Sequence, residues 1–199
     1  MPRTRSGRAL WMLEEIGAPY ELTEIAGAER RSAAHLDRHP LGRVPALELE
    51  DGTVIFESAA ICLQLADLHP EAGLTAPLQS SERALIYQWV LFAMTELEGP
   101  LFRWLAELRD GDRTGDGESS PAQQRFSAAA AALQSALDGR DWVLGERFTV
   151  ADVLCASILE GAASRQLLEP WPGLQAYVER SMARPAYARA AEISDRPRR

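Results

Sequence analysis

Apolar positions change period several times in the first part of the chain, and each change marks a new element. Residues 8–16 carry Ala9, Leu13 and Ile16 on one helical stripe, and Gly17 stops that run as a C-terminal cap. Residues 20–25 alternate weakly and predict a short strand, and residues 31–38 predict a marginal helix closed by Pro40. Two short apolar runs follow, Ala46 to Leu49 and Val54 to Phe56, separated by Glu50-Asp51-Gly52-Thr53. An Asp-Gly pair between such runs predicts a hairpin. Ser58 then opens a helix with Ile61, Leu65 and Leu68 on one face, which His69-Pro70 ends.

Residues 70–81 are rich in Pro, Gly and Ser and have no period, so a linker is expected there. Beyond it the pattern is helical throughout. Ile86, Val90, Ala93, Leu97, Leu101, Leu105 and Leu108 recur at spacings of three and four. Pro100 falls inside that run, where its ring meets the carbonyl four residues back, and a kink is expected. Residues 110–120 read as an exposed, mobile loop. Helices are expected at 121–138, 150–162, 172–182 and 185–193, with a frayed end from Asp195 to Arg199. A mixed α/β segment followed by helices alone predicts two domains, residues 1–72 and 81–199, joined by a linker at 73–80.

Composition narrows the function. The 199 residues are 46% hydrophobic and 25% charged, enough for two small cores, and the net charge is -8. An acidic chain argues against nucleic-acid binding, which needs clustered positive charge. All 21 basic residues are Arg, which reads as the codon bias of a GC-rich bacterium. Cys62 and Cys155 stand far apart within apolar patterns, so no disulfide framework is implied. No window approaches the roughly 20 apolar residues that cross a bilayer, and residues 1–7 lack the apolar core of a secretory signal. A cytoplasmic protein without membrane partners is expected. His35, His39 and His69 are scattered, and no metal is implied.

Four local signals carry candidate chemistry. Leu41-Gly42-Arg43-Val44-Pro45 puts a proline directly before a strand; such a bond is either cis, with main-chain groups turned toward a ligand, or an ordinary trans turn. Glu57-Ser58 sits between a strand and a helix. Ser58 as N-cap would leave free N–H groups for an anion, and Glu57 beside it could bind an ammonium, together suiting the α-amino and α-carboxylate groups of an amino acid. Against that stands a plain cap after a surface glutamate. Thr4-Arg5-Ser6 precedes the first helix, where a hydroxyl and the helix dipole favour a thiolate; Ser6 as a simple N-cap is the alternative. Phe148-Thr149-Val150-Ala151-Asp152 is a structural capping box, with Phe148 and Val153 placed as its staple.

In this order and spacing the four segments resemble the soluble glutathione transferase family across nearly the whole chain, in a bacterial serine-type, beta- or theta-like form. Glu57-Ser58-Ala59-Ala60-Ile61 is similar to the family's γ-glutamyl-binding motif, and Val44-Pro45 to its cis-proline segment. Gly145 to Asp152 is similar to the capping segment of its sixth helix, and Arg5 to Glu15 resembles the first helix of bacterial members. The resemblance implies an α/β thioredoxin-like N-terminal domain of order βαβαββα and an all-α C-terminal bundle. It implies glutathione as co-substrate, a small hydrophobic electrophile as second substrate, a homodimer, and a role in detoxification. Ser6, or Thr4 as second choice, would hold the thiolate. Val44 and Pro45 would align the tripeptide, Glu57 and Ser58 would bind its γ-glutamyl end, and Arg43 would meet its glycyl carboxylate. Trp11, Tyr87, Phe92 and Met94 are candidates to line the electrophile site between the domains, and Glu96 and Glu98 to face a partner subunit.

The chain departs from the family in three places. The asparagine usual before Pro40 is His39. The tyrosine of several mammalian classes has no counterpart, and the nucleophile of the cysteine-type class would fall near Arg5. Only Met1 precedes Pro2, where a first strand is expected inside the sheet. A three-stranded sheet, poor tethering of residues 2–6 and a natural start upstream of Met1 are therefore expected. A non-catalytic glutathione-binding or structural member, or a glutathione-dependent isomerase or dehalogenase, shares these features.

Overall fold

A computed structural model of the chain describes residues 4–110 and 119–194. It divides into two compact units, one of residues 1–75 with 184–199, the other of residues 76–183. The expected pairing of a small α/β unit with a helical unit holds. The last helix, however, packs with the first unit rather than with the helical segment in which its sequence position puts it.

In the first unit, α1 (Arg5–Ile16), α2 (Ala33–Arg38), β1 (Ala46–Glu48), β2 (Val54–Phe56) and α3 (Ser58–Leu68) follow in order, and α9 (Pro185–Ser194) joins them. Among the described residues the sheet has two strands, not three. β1 and β2 are antiparallel, with Ala46 opposite Phe56 and Glu48 opposite Val54. The hairpin turns at Gly52, whose φ of 82° is open to glycine, and the Asp51 carboxylate accepts the Thr53 N–H at 2.8 Å. Residues 20–25 form no strand. Among the described residues no strand lies beside them to supply a ladder, so they stay irregular, and Leu22 is half exposed. A short 3-10 turn, Gly27–Arg31, replaces the start of the helix expected at 31–38. The expectations for Met1 to Arg3, for most of the 110–120 loop and for Asp195 to Arg199 lie outside the described residues.

α1 packs against α3 on one side and α9 on another. Trp11, Met12, Ile61, Cys62 and Ala66 are essentially sealed from solvent. Trp11 is thus a core residue, not a lining one. Its ring meets Tyr187 of α9 edge-on at 5.1 Å, and its Nε1 donates to Glu15 Oε1 at 2.9 Å. Arg184 grips the same carboxylate with Nε and Nη2 at 2.6 and 2.7 Å, a bidentate pair, while Arg189 Nε donates to Glu14 Oε2 at 2.7 Å.

The second unit holds α4 (Ser81–Phe92), α5 (Gly99–Asp110), α6 (Pro121–Ala136), α7 (Val150–Ala163) and α8 (Pro172–Met182). Between α4 and α5 the chain winds as a π-helix over Ala93–Glu98. This is where the Pro100 disturbance falls: the wider turn accommodates a ring that supplies no N–H. Glu98 is buried there, and Glu96 lies 3.6 Å from Arg125 of α6, so neither is an open acidic face. α7 is mostly apolar and largely buried, and packs against α4, the π-helical turn and α8. Its capping box forms as expected, Thr149 N–H donating to Asp152 Oδ2 at 2.9 Å, with Phe148 and Val153 both buried. Asp152 also accepts from the Val143 N–H at 2.8 Å and the Tyr177 hydroxyl at 3.0 Å.

Candidate functional site

The candidate site lies in the first unit, where three segments converge. The first is the start of α1. Thr4, not Ser6, is the N-cap: its backbone is extended at φ -114° and ψ 164°, and its carbonyl accepts the Gly7 N–H at 2.9 Å. Ser6 lies inside the first helical turn, half-buried. That turn holds no acidic residue and carries Arg5 and Arg8, so charge and dipole both favour an anion at this end. Arg8 is 5% exposed, and its Nη1 donates to Ser58 Oγ at 3.2 Å. Sequence reasoning gave Arg8 no role, although its position four residues after Thr4 puts both on one helical face.

The second segment is the loop from His39 to Pro45. The Val44–Pro45 bond is cis. Gly42 has φ 60°, and a β-carbon there would stand 2.4 Å from the Arg30 carbonyl oxygen, so this position excludes any side chain. His35 from α2 reaches across with Nε2 2.9 Å from the Arg43 carbonyl; a carbonyl only accepts, so Nε2 carries the proton. What is held at Arg43 is therefore its main chain, while its side chain is exposed.

The third segment is Glu57-Ser58. Glu57 is the N-cap of α3 and Ser58 its first residue, one position later in role than expected. Glu57 adopts φ 74° and ψ 113°, a conformation that L side chains rarely take. Strain of this kind persists where the surrounding structure imposes it, and it clusters at ligand sites. Glu57 is exposed, and the N–H groups of residues 58–60 that follow it have no intrahelical acceptor. Ser58 is 1% exposed. Since its oxygen accepts from Arg8, its own hydrogen is available to another acceptor.

The hairpin register brings the second and third segments together. Ala46 pairs with Phe56, so one step further Pro45 stands opposite Glu57. The Arg8–Ser58 bond ties the start of α1 to the same corner. His39 completes it: its ring lies 5.0 Å from that of Phe56, and burial lowers its pKa below the usual histidine value, with Glu57 acting in the opposite sense. Cys62, one turn into α3, has its thiol pushed up to about 12 by burial, which Arg8 only partly opposes, so it is no nucleophile at neutral pH. The corner thus offers a carboxylate for an ammonium, a helix end and a buried hydroxyl for a carboxylate, and a main-chain edge at Val44. A second helix end, that of α1, carries the hydroxyl residues Thr4 and Ser6.

Comparison with known proteins gives a family. The family model described as glutathione S-transferase, N-terminal domain, matches residues 4–68, and its C-terminal counterpart matches residues 95–180. Glutathione S-transferase GstA of Escherichia coli O157:H7 is 32% identical over 180 residues, which cover 87% of this chain and 86% of that protein. Elongation factor 1-gamma of Artemia salina is 31% identical over 78% of this chain, which spans only 35% of that factor. Among solved structures, the ternary complex of BphK, a bacterial GST, superposes with a TM-score of 0.82 at 27% identity and 96% coverage of each chain. A sphingomonad glutathione S-transferase complexed with glutathione gives 0.79 at 28% identity, covering 96% of this chain and 94% of that one.

Proposed function

Because this chain belongs to the glutathione S-transferase family, we propose that it binds glutathione in the corner formed by α1, the His39–Pro45 loop and the start of α3, and transfers it to a small hydrophobic electrophile. Glu57 takes the γ-glutamyl ammonium, and Ser58 with the α3 N–H groups takes its carboxylate. The main chain of Val44 pairs with the cysteinyl part beside Pro45, and Arg43 meets the glycyl carboxylate. Thr4 or Ser6 donates to the sulfur at the positive end of α1, so that the thiol loses its proton to solvent and the thiolate attacks. Sulfur forms a bond to the electrophilic carbon while the leaving group departs with its electron pair. The rate gain comes from thiolate stabilisation and proximity.

The observation that carries this reading is Glu57 held at φ 74° at a helix N-terminus, next to a buried serine that Arg8 orients. The test is retention on immobilised glutathione together with conjugation of a generic aromatic halide. A protein that does neither is not a glutathione transferase in function. A homodimer in the cytoplasm, acting in detoxification, belongs to the same reading; light scattering that returns a monomer mass at micromolar concentration refutes the dimer.

A second reading, a non-catalytic structural member of the fold, draws on the match to elongation factor 1-gamma. Retention on glutathione without conjugation of any halide separates it from the first.

A further inference from the structure

His39 ends α2 and begins the turn that leads to Val44. Its carbonyl accepts the Gly42 N–H at 2.8 Å, closing a β-turn with Pro40 in the second position. The ring supplies a second closure, because Nδ1 stands 3.3 Å from the Leu41 N–H. The backbone N–H is the donor, so Nδ1 accepts and the proton of the neutral ring resides on Nε2. An asparagine side chain captures the N–H two residues on in the same way. The imidazole therefore does the work that an asparagine side chain would do here, with one difference: it loses its acceptor when protonated. The ring is 4% exposed and backed by Phe56.

We propose that His39 is a positioning residue for the glutathione-binding loop, and that protonating its ring removes one of the two closures of the turn and weakens binding of the tripeptide. This rests on the function proposed above. The groups that face the ring are Glu57 at the head of α3, His35 on α2 and Arg43 in the loop; Glu57 favours the imidazolium, while His35 and Arg43 oppose it. Burial is the largest influence and also opposes it. The folded pKa is thus below the ordinary 6.5, so the neutral acceptor is fully present above that value and is lost as pH falls beneath it. His35 cannot produce the same loss, because its Nε2 donates to Arg43 in either charge state. Nor can the ligand, whose carboxyls titrate below about pH 4 and whose thiol and amine titrate near or above about pH 8.

The experiment is calorimetry of reduced glutathione binding from about pH 5 to about pH 7.5, with the protein and its His39→Asn and His39→Phe variants. Affinity of the unaltered protein should fall as pH drops through the folded pKa of His39, by at most about tenfold, one hydrogen bond's worth. His39→Asn should restore neutral-pH affinity and abolish the fall. His39→Phe keeps a ring against Phe56 but no acceptor, and should bind about tenfold more weakly at every pH. An acid fall that persists in His39→Asn overturns the proposal, as does full affinity in His39→Phe. A second readout needs no ligand: the Leu41 amide resonance should titrate with the His39 ring and stand still in His39→Asn. A motionless Leu41 amide in a protein that binds glutathione overturns the role of His39 alone, whereas no binding at any pH overturns the function and the link to affinity together.

Discussion

Arg8 Nη1 donates to Ser58 Oγ across 3.2 Å, joining the first turn of α1 to the first turn of α3 through two buried side chains. That bond makes Ser58 part of the framework as well as of the proposed site. Ser58→Ala should lower glutathione affinity by about 1.5–3 kcal/mol, the worth of a hydrogen bond to a charged group, and should also cost about 1 kcal/mol of stability. Glu57→Gln should lower affinity by a similar amount and leave stability alone. Calorimetry and thermal unfolding read the two effects separately. Unchanged affinity in both variants removes the γ-glutamyl assignment.

Glu57→Gly should separate function from stability in the other direction. Glycine takes φ 74° without steric conflict, so the variant should gain about 1 kcal/mol in urea unfolding while losing glutathione binding. A loss of stability instead would mean that the Glu57 side chain contributes more to the fold than its conformation costs.

Thr4→Ala and Ser6→Ala should divide thiol activation between them. Thr4 is the N-cap and Ser6 is one step inside the helix, and only the hydroxyl that meets the sulfur should raise the pKa of bound glutathione when removed. The measured quantity is thiolate absorbance of the complex against pH, set beside conjugation rate. If neither variant shifts it, the hydroxyl mechanism is wrong.

Asp152→Ala should be the most damaging single change outside the site. It strips the acceptor from the Val143 N–H, the Thr149 N–H and the Tyr177 hydroxyl, all buried. At about 1–3 kcal/mol for each stranded donor the loss should be at least about 3 kcal/mol, seen as a fall in Tm of about 10 °C. A fall of only a degree or two would show that water replaces the carboxylate.

Cys62 and Cys155 are both buried free thiols, and burial holds Cys62 in the protonated form up to about 12. A chromogenic disulfide reagent at neutral pH should therefore find no thiol in the native protein and two after denaturation. Rapid native labelling would place one of them near an opening that the fold does not contain.

What the sequence disclosed was what is local. The capping box of Thr149 and Asp152, the Asp51-Gly52 turn and the Glu57-Ser58 junction each depend on residues a few positions apart, and each formed near its expected place. The caps of α1 and α3 were off by one or two residues, because a hydroxyl signals a cap without saying which of its neighbours is already helical, whereas α6, α7, α8 and α9 start at the expected residues. Residues 20–25 alternate like a strand, but alternation is only half of a strand, and the pairing edge was not there. His39 looked like a loss of the usual asparagine, since no sequence rule says that a ring nitrogen can stand in for an amide oxygen. Arg184 and Glu15 lie 169 positions apart, and no periodicity could have joined them.

That last pairing bears on the order in which the protein is made. On the ribosome, α1 emerges at the outset, with Trp11 and the face that α9 will cover still bare. At roughly 5–20 residues per second, the whole of residues 76–183 must be synthesised before Arg184 can reach Glu15, a wait of roughly 5–20 seconds. The helical unit can fold meanwhile, whereas the first unit is completed late. A nascent chain stalled anywhere before Arg184 carries an incomplete first unit and an open apolar face, the kind of surface that holding chaperones recognise.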